Sequence, residues 1–432
     1  MKVVFGIVAV IVILAAAALG YALSPSAIAA IQPPAPASFQ QAEVKHGAEL
    51  ARLGDCNTCH TVKGGAPYAG GYGLETSFGT IYSTNITPDA DTGIGRWSEA
   101  AFARAMRQGL DREGDHLYPA FPYTHFTKLS DPDVKALYAF FMTRTPVKKA
   151  ARDNDLPFPL NWRPVLAGWK LLFFHPGRFQ PDAKASDQVN HGAYLVQGLG
   201  HCGACHTPRN VLQAEKRDDF LEGGEAEGWT APAIAGNAMP APKAWTQTAL
   251  KDYLTGRYAK DHGVAAGPMQ PVAQNLSEVP QSDVDAIVAY IHPGMRQGNA
   301  QPANAQASAA ASGSSGQSGQ GAAIYAGLCA RCHEQASPSR YSEGLNLADS
   351  SALHEASGRN FVNFVLAGVQ PPEGRAGPFM PPLAGSLTDG QLTALADYLR
   401  QAKAGLKPWD DLKDTISSVR KTALAAEAQP QS

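Results

Sequence analysis

The sequence predicts a mainly α protein, built as three tandem domains behind an N-terminal apolar segment. Three observations carry that prediction. All six cysteines fall into three copies of C-x-x-C-H: Cys56-Asn57-Thr58-Cys59-His60, Cys202-Gly203-Ala204-Cys205-His206 and Cys329-Ala330-Arg331-Cys332-His333. A helical pattern recurs around each copy. A stretch unsuited to packing, 294–321, separates the last two copies, within a 432-residue chain that has room for about three small domains.

The motif dictates its own chemistry. Two thiols three residues apart can add across the two vinyl groups of a porphyrin, and the adjacent imidazole then lies under the iron. A disulfide scaffold gives no reason for a histidine after every pair, and a zinc site needs four ligands converging from two pairs. With no cysteine left over, the chain is expected to bind three haem c groups covalently. Their thioethers would come from Cys56, Cys59, Cys202, Cys205, Cys329 and Cys332, with His60, His206 and His333 as proximal ligands.

In chain order, residues 1–31 come first. Val3 to Leu23 carry no charge and only Lys2 precedes them, long enough for a membrane anchor. A signal peptide with cleavage near Ala27-Ile28-Ala29 is the competing reading. Under either, the haem domains are exported to the bacterial periplasmic face. Gln32-Pro33-Pro34-Ala35-Pro36 is a stiff spacer opening the first domain, 32–150. An apolar connector, 151–180, leads to the second domain, 181–293. Residues 294–321 are mostly Gly, Ala, Ser and Gln and read as a flexible tether. The third domain is 322–402, and 403–432 is a tail with a helix expected over Asp410–Ala426.

Within each domain the pattern repeats. Val44-Lys45-His46-Gly47-Ala48 and Val189-Asn190-His191-Gly192-Ala193 open helices that run into the first two motifs. Amphipathic segments start at Trp97, Trp245 and Asn360. Closing helices are expected at Asp131–Arg144, Ser282–His292 and Thr388–Gln401. A helix ending in C-x-x-C-H, crossed by a closing helix, is the plan of a class I cytochrome c domain.

A six-coordinate haem needs a second axial ligand, usually Met or His. Met380, in Gly377-Pro378-Phe379-Met380-Pro381-Pro382, is the candidate in the third domain. Met269, in Gly267-Pro268-Met269, is preferred in the second over Met239 and Met295. The first domain places Phe121 where a methionine would stand, and Met106 and Met142 read as core. His125, four residues further along the strap, is the expected ligand, with His116 as the alternative. His46 and His191 share a repeat position and read as packing near a haem edge or pairing with a carboxylate.

Net charge of −2 and a charged fraction of 17% give no sign of nucleic-acid binding. No nucleophile with a base, paired carboxylates or phosphate loop stands out, so no catalytic residue is assigned.

The run Gly198-Leu199-Gly200-His201-Cys202-Gly203-Ala204-Cys205-His206-Thr207-Pro208-Arg209-Asn210 resembles the second haem site of the three-haem cytochrome c subunits of membrane-bound bacterial dehydrogenases. Thr80-Ile81-Tyr82-Ser83-Thr84-Asn85-Ile86-Thr87-Pro88-Asp89 and Asn161-Trp162-Arg163-Pro164 through Phe174 are similar to their first domain and connector. The resemblance covers about Val44 to Lys403. It implies a carrier that takes electrons from a catalytic subunit and gives them to ubiquinone in the cytoplasmic membrane. His116-Leu117-Tyr118-Pro119-Ala120-Phe121-Pro122-Tyr123 with His125, and Lys407-Pro408-Trp409-Asp410-Asp411-Leu412, are more like the branch serving molybdenum hydroxylases such as the aldehyde dehydrogenase of acetic acid bacteria. That branch implies a molybdopterin subunit and a [2Fe–2S] subunit as partners. The quinoprotein alcohol and flavin-dependent polyol or gluconate branches are the alternative. A haem enzyme with an open coordination position is a third.

Overall fold

The structure is a computed structural model and describes residues 25–235, 243–295, 315–334, 346–371 and 377–428, with positions 6, 7, 10, 11, 13, 14 and 20 before them. It divides into two compact units, Met1–Asp182 with Tyr194–His201, and Ala183–Ala193 with Cys202–Ser432.

In the first unit, α1 (Gln41–Leu53) leads into the short α2 (Cys56–His60) that carries the first motif. Strands β1 (Gly73–Thr76) and β2 (Gly79–Tyr82) pair antiparallel, Leu74 opposite Ile81. Then come α3 (Glu99–Gln108), α4 (Tyr123–Phe126), α5 (Asp131–Met142) and α6 (Val165–Phe173). Ser98 and Ser130 cap α3 and α5 by accepting from Ala101 N and Asp133 N, which is why both helices start where the sequence turns apolar-periodic. The aromatic core is set by their spacing: Tyr68 meets Phe140 and Phe141 edge-on at 5.8 and 5.4 Å, and Phe102 packs on Tyr138 and Phe141.

α7 (Asp187–Gln197) contributes to both units. In the second unit follow α8 (Gly203–His206) and the hairpin β3 (Gly224–Ala226)–β4 (Trp229–Ala231). Helices α9 (Gln247–Leu254), α10 (Met269–Leu276) and α11 (Gln281–Met295) complete the second domain. The third domain runs through α12 (Ser315–Ile324), a π-helical turn at Tyr325–Cys329 and α13 (Ala330–His333). It continues with α14 (Ser351–His354), α15 (Arg359–Ala367), α16 (Asp389–Tyr398) and α17 (Leu412–Ala428).

The opening and closing helices cross at one glycine in every domain. A Cβ on Gly47 would lie 2.0 Å from Ala136 O and 2.8 Å from Phe140 Cβ. On Gly192 it would lie 1.9 Å from Ala286 O and 2.9 Å from Tyr290 Cβ, and on Gly321 2.1 Å from Ala394 O and 2.7 Å from Tyr398 Cβ. Each closing helix thus presents an alanine carbonyl and, one turn on, the Cβ of an aromatic residue to a glycine. That is a backbone-on-backbone approach no other residue allows.

Several expectations change. Among the described residues no helix is long and apolar enough to cross a membrane. Most of the segment expected as an anchor lies outside those residues. The expected tether, 294–321, already contains the start of α12, and Gly321 belongs to the third domain's helix crossing. Residues after 403 are not a loose tail: Trp409, Leu412, Ile416 and Val419 join Leu353, Phe361, Leu392, Leu395 and Leu399 in the third core. Leu412 and Ile416 are essentially fully buried, each worth about 2 kcal/mol of burial. The third domain is also docked to the second. Asn360 accepts from Thr230 N (2.9 Å) and donates to Thr230 O (2.8 Å), as a paired strand would. Asn363 Nδ2 donates to Gly228 O, Trp229 meets Phe364 edge-on at 5.2 Å, and Lys243 pairs with Asp349 at 2.9 Å. The closing helix expected over Thr388–Gln401 is α-helical to Tyr398 and π-helical over Leu399–Lys403.

Candidate haem sites

Each motif sits on a short helical turn just after its opening helix. Asp55 (φ 52°) and His201 (φ 37°) adopt the left-handed conformation immediately before Cys56 and Cys202, turning the chain so that the cysteine pair leaves the opening helix. In the third domain the π-helical turn ends at Cys329 instead. No disulfide joins any of the six cysteines. Burial pushes Cys56 and Cys202 up to about 12 and Cys329 up to about 11. Cys56, His60 and Cys202 are partly exposed.

The proximal histidines are oriented by backbone. His60 Nδ1–H donates to Thr84 O at 2.7 Å, and His206 Nδ1–H donates to Pro232 O at 2.7 Å. A carbonyl only accepts, so this bond fixes the tautomer and leaves the Nε2 lone pair for a metal. Burial lowers the pKa of both rings, which keeps them neutral. His333 closes α13, and residues 335–345 beyond it lie outside the described set. Among the described residues no group of three or more His, Cys, Asp or Glu is arranged to hold a bare metal ion. A thiol pair plus one oriented imidazole is the donor set for covalent haem.

The candidate distal ligands lie on ordered straps. Met380 pairs with Val369 through two backbone bonds of 2.8 and 2.9 Å and packs against the third core. Met269 opens α10 behind Gly267, whose φ of 54° and 2.4 Å approach of a built Cβ to the Trp229 ring admit no side chain. Met239 lies outside the described residues, as does the side chain of Met295. In the first domain Phe121 packs edge-on against Phe126. His125, buried in α4, has Nδ1 at 3.0 Å from Gln197 O, the same ring–carbonyl bond that His60 and His206 make. His116 is buried beside Leu110, to which it is bridged. In the second domain His262 stacks flat on Trp245 at 3.7 Å.

His46 and His191 pair with carboxylates: each Nε2 lies 2.8 Å from Oδ1 of Asp133 and Asp283 respectively, tying opening to closing helix. Sequence reasoning missed the Thr84 and Pro232 carbonyls because backbone atoms leave no signal in residue type. It also missed Gly321, whose only signal was the Gly-Ala pair shared with Gly47-Ala48 and Gly192-Ala193.

Residues 44–145 match the cytochrome c family, and residues 316–399 match the family described as cytochrome C oxidase, cbb3-type, subunit III. The chain is 44% identical over 397 residues to a nicotinate dehydrogenase subunit of Pseudomonas putida, covering 91% of this chain but 33% of that protein, so it spans about a third of that relative's length. It is 39% identical to the gluconate 2-dehydrogenase cytochrome c subunit of Pantoea cypripedii, over 88% of this chain and 89% of the relative. It is 35% identical to the fructose dehydrogenase cytochrome subunit of Gluconobacter japonicus, over 92% and 87%. With helix crossings, oriented imidazoles and near full-length likeness agreeing, the chain belongs to the family of dehydrogenase cytochrome c subunits.

Proposed function

We propose that the chain is a three-haem c electron-transfer subunit, carrying electrons from a catalytic dehydrogenase partner to ubiquinone at the periplasmic face of the bacterial cytoplasmic membrane. The observation that carries this reading is the threefold repeat of C-x-x-C-H behind a glycine-pinned helix crossing. Haem supplies a one-electron couple when bound. The chain's own residues hold and enclose it. His60, His206 and His333 would hold the iron of their haems, and His125, Met269 and Met380 would each supply the second protein ligand. With a second protein ligand for each iron, no position would be left for substrate, which favours a carrier over a haem enzyme. His125 is preferred to His116 because its ring makes the same Nδ1–carbonyl bond as His60 and His206.

For the partner, a molybdopterin subunit with a [2Fe–2S] subunit is the preferred assignment. It is supported by the His116-to-His125 strap, by the buried Trp409 element, and by the 44% identity to a protein named for nicotinate dehydrogenase. The alcohol, gluconate or fructose type is the second reading, supported by relatives of those names aligned over nearly their whole length. Purifying the complex from membranes, with metal analysis and substrate-driven haem reduction, separates them. Molybdenum together with iron beyond the haems supports the first. A quinone cofactor or flavin without molybdenum moves the chain to the second.

A further inference from the structure

We propose that α6 and the turn before it form a second membrane contact, lying flat on an anionic bilayer beside the N-terminal apolar segment. This rests on the reading of that segment as membrane-associated. The outward face of α6 is apolar: Leu171 is 86% and Leu172 64% exposed, with Gly168 one turn earlier and Trp162 and Phe158 (51% and 80%) just ahead. Exposing such a face to water is unfavourable, and its inner side is already committed. Leu166 is buried, Phe174 meets Tyr123 edge-on at 5.2 Å, and Lys170 Nζ turns inward to donate to Gln108 O (2.8 Å) and Gly109 O (2.6 Å). The helix is therefore preformed, with its apolar residues held outward.

Two observations select a lipid surface as the occupant. The first is charge: no Asp or Glu occurs between Asp155 and Asp182, whereas Arg163 and Arg178 flank the helix. Arg163 and Arg178 are paired with Asp111 and Asp131, so what this segment offers anionic headgroups is the lack of any carboxylate of its own to repel them. The second is continuity. The chain emerging from the apolar run is fastened to the loop Asp111–Gly114: Ile28 N donates to Arg112 O at 2.9 Å, and Pro25 O lies against Gly114. Arg163, the residue leading into α6, pairs with Asp111 of that same loop at 3.0 Å. Where the N-terminal segment leaves the bilayer, α6 is one loop away.

The test is photolabelling of the haem-loaded full chain, in complex with its dehydrogenase partner, in phosphatidylethanolamine–phosphatidylglycerol vesicles carrying a diazirine phospholipid. Label is expected in the N-terminal segment and in the peptide 156–174. The pair Leu171→Glu and Leu172→Glu, both on exposed positions, is expected to reduce label in 156–174 to background and leave the N-terminal label intact. Trp162→Ser serves as a second variant, with the haem spectrum as the check on folding. Label confined to the N-terminal segment, or label in 156–174 indifferent to these changes, overturns the proposal. Absence of label in both places defeats the membrane reading itself.

Discussion

A Cβ on Gly192 would lie 1.9 Å from the carbonyl oxygen of Ala286. The contact is backbone on backbone, so no rotamer change relieves it, and Gly192→Ala must push α7 away from α11. The expected cost is about 3 kcal/mol, seen as a lower midpoint in thermal unfolding followed at the haem absorption. His191→Ala, one residue earlier, removes only the half-exposed pair with Asp283. It is expected to cost about 1 kcal/mol or less. Equal effects of the two changes would contradict the crossing as the organising contact.

Glu355 gives the third domain a pH dependence. Its carboxyl is buried, accepts from Asn360 Nδ2 at 3.0 Å, and burial pushes its pKa up to about 7 from 4.5. The folded state therefore binds the proton more tightly than the unfolded state. Stability is full below about pH 4.5 on this account, falls as pH rises from there to about 7, and stays reduced above, by roughly 3 kcal/mol at most. Glu355→Gln keeps the acceptor for Asn360 and is expected to raise stability at pH 8 while flattening the profile. Denaturant titrations at pH 5 and pH 8 check this, and an unchanged pH slope in the variant would contradict it.

Axial ligation predicts three separable spectra. His125→Ala is expected to convert one haem to high spin in electron paramagnetic resonance, while His116→Ala leaves all three low-spin. Met269→His and Met380→His are each expected to lower the potential of one haem, because a methionine ligand raises it. Redox titration of each variant assigns the haem. A high-spin signal from His116→Ala, with none from His125→Ala, would exchange their roles.

What the sequence made legible follows from how strictly chemistry constrains each position. Thioether formation demands two cysteines and a histidine at fixed spacing, so the three motifs could be read outright. The helix crossing was readable at His46-Gly47-Ala48 and His191-Gly192-Ala193. It was hidden at Gly321, because that glycine closes a Gly-, Ser- and Gln-rich run whose composition argues for a linker. Trp409 and Ile416 looked like tail because only tertiary packing against Phe361 and Leu395 shows that the third domain needs them. Phe121 announced that the first strap differs, but residue type alone left both His116 and His125 in play. The carbonyl bond to His125 is a property of the folded backbone.

Intact-mass analysis of the exported chain, paired with the same measurement on Cys202→Ser/Cys205→Ser, tests the central claim most directly. The family matches cover residues 44–145 and 316–399 and leave the middle domain outside, so the second motif decides the count. The account predicts the mass of three haem groups on the parent chain and two on the variant. Two haems on the parent, unchanged in the variant, would mean that Cys202 and Cys205 bind none, and the three-haem carrier would be wrong.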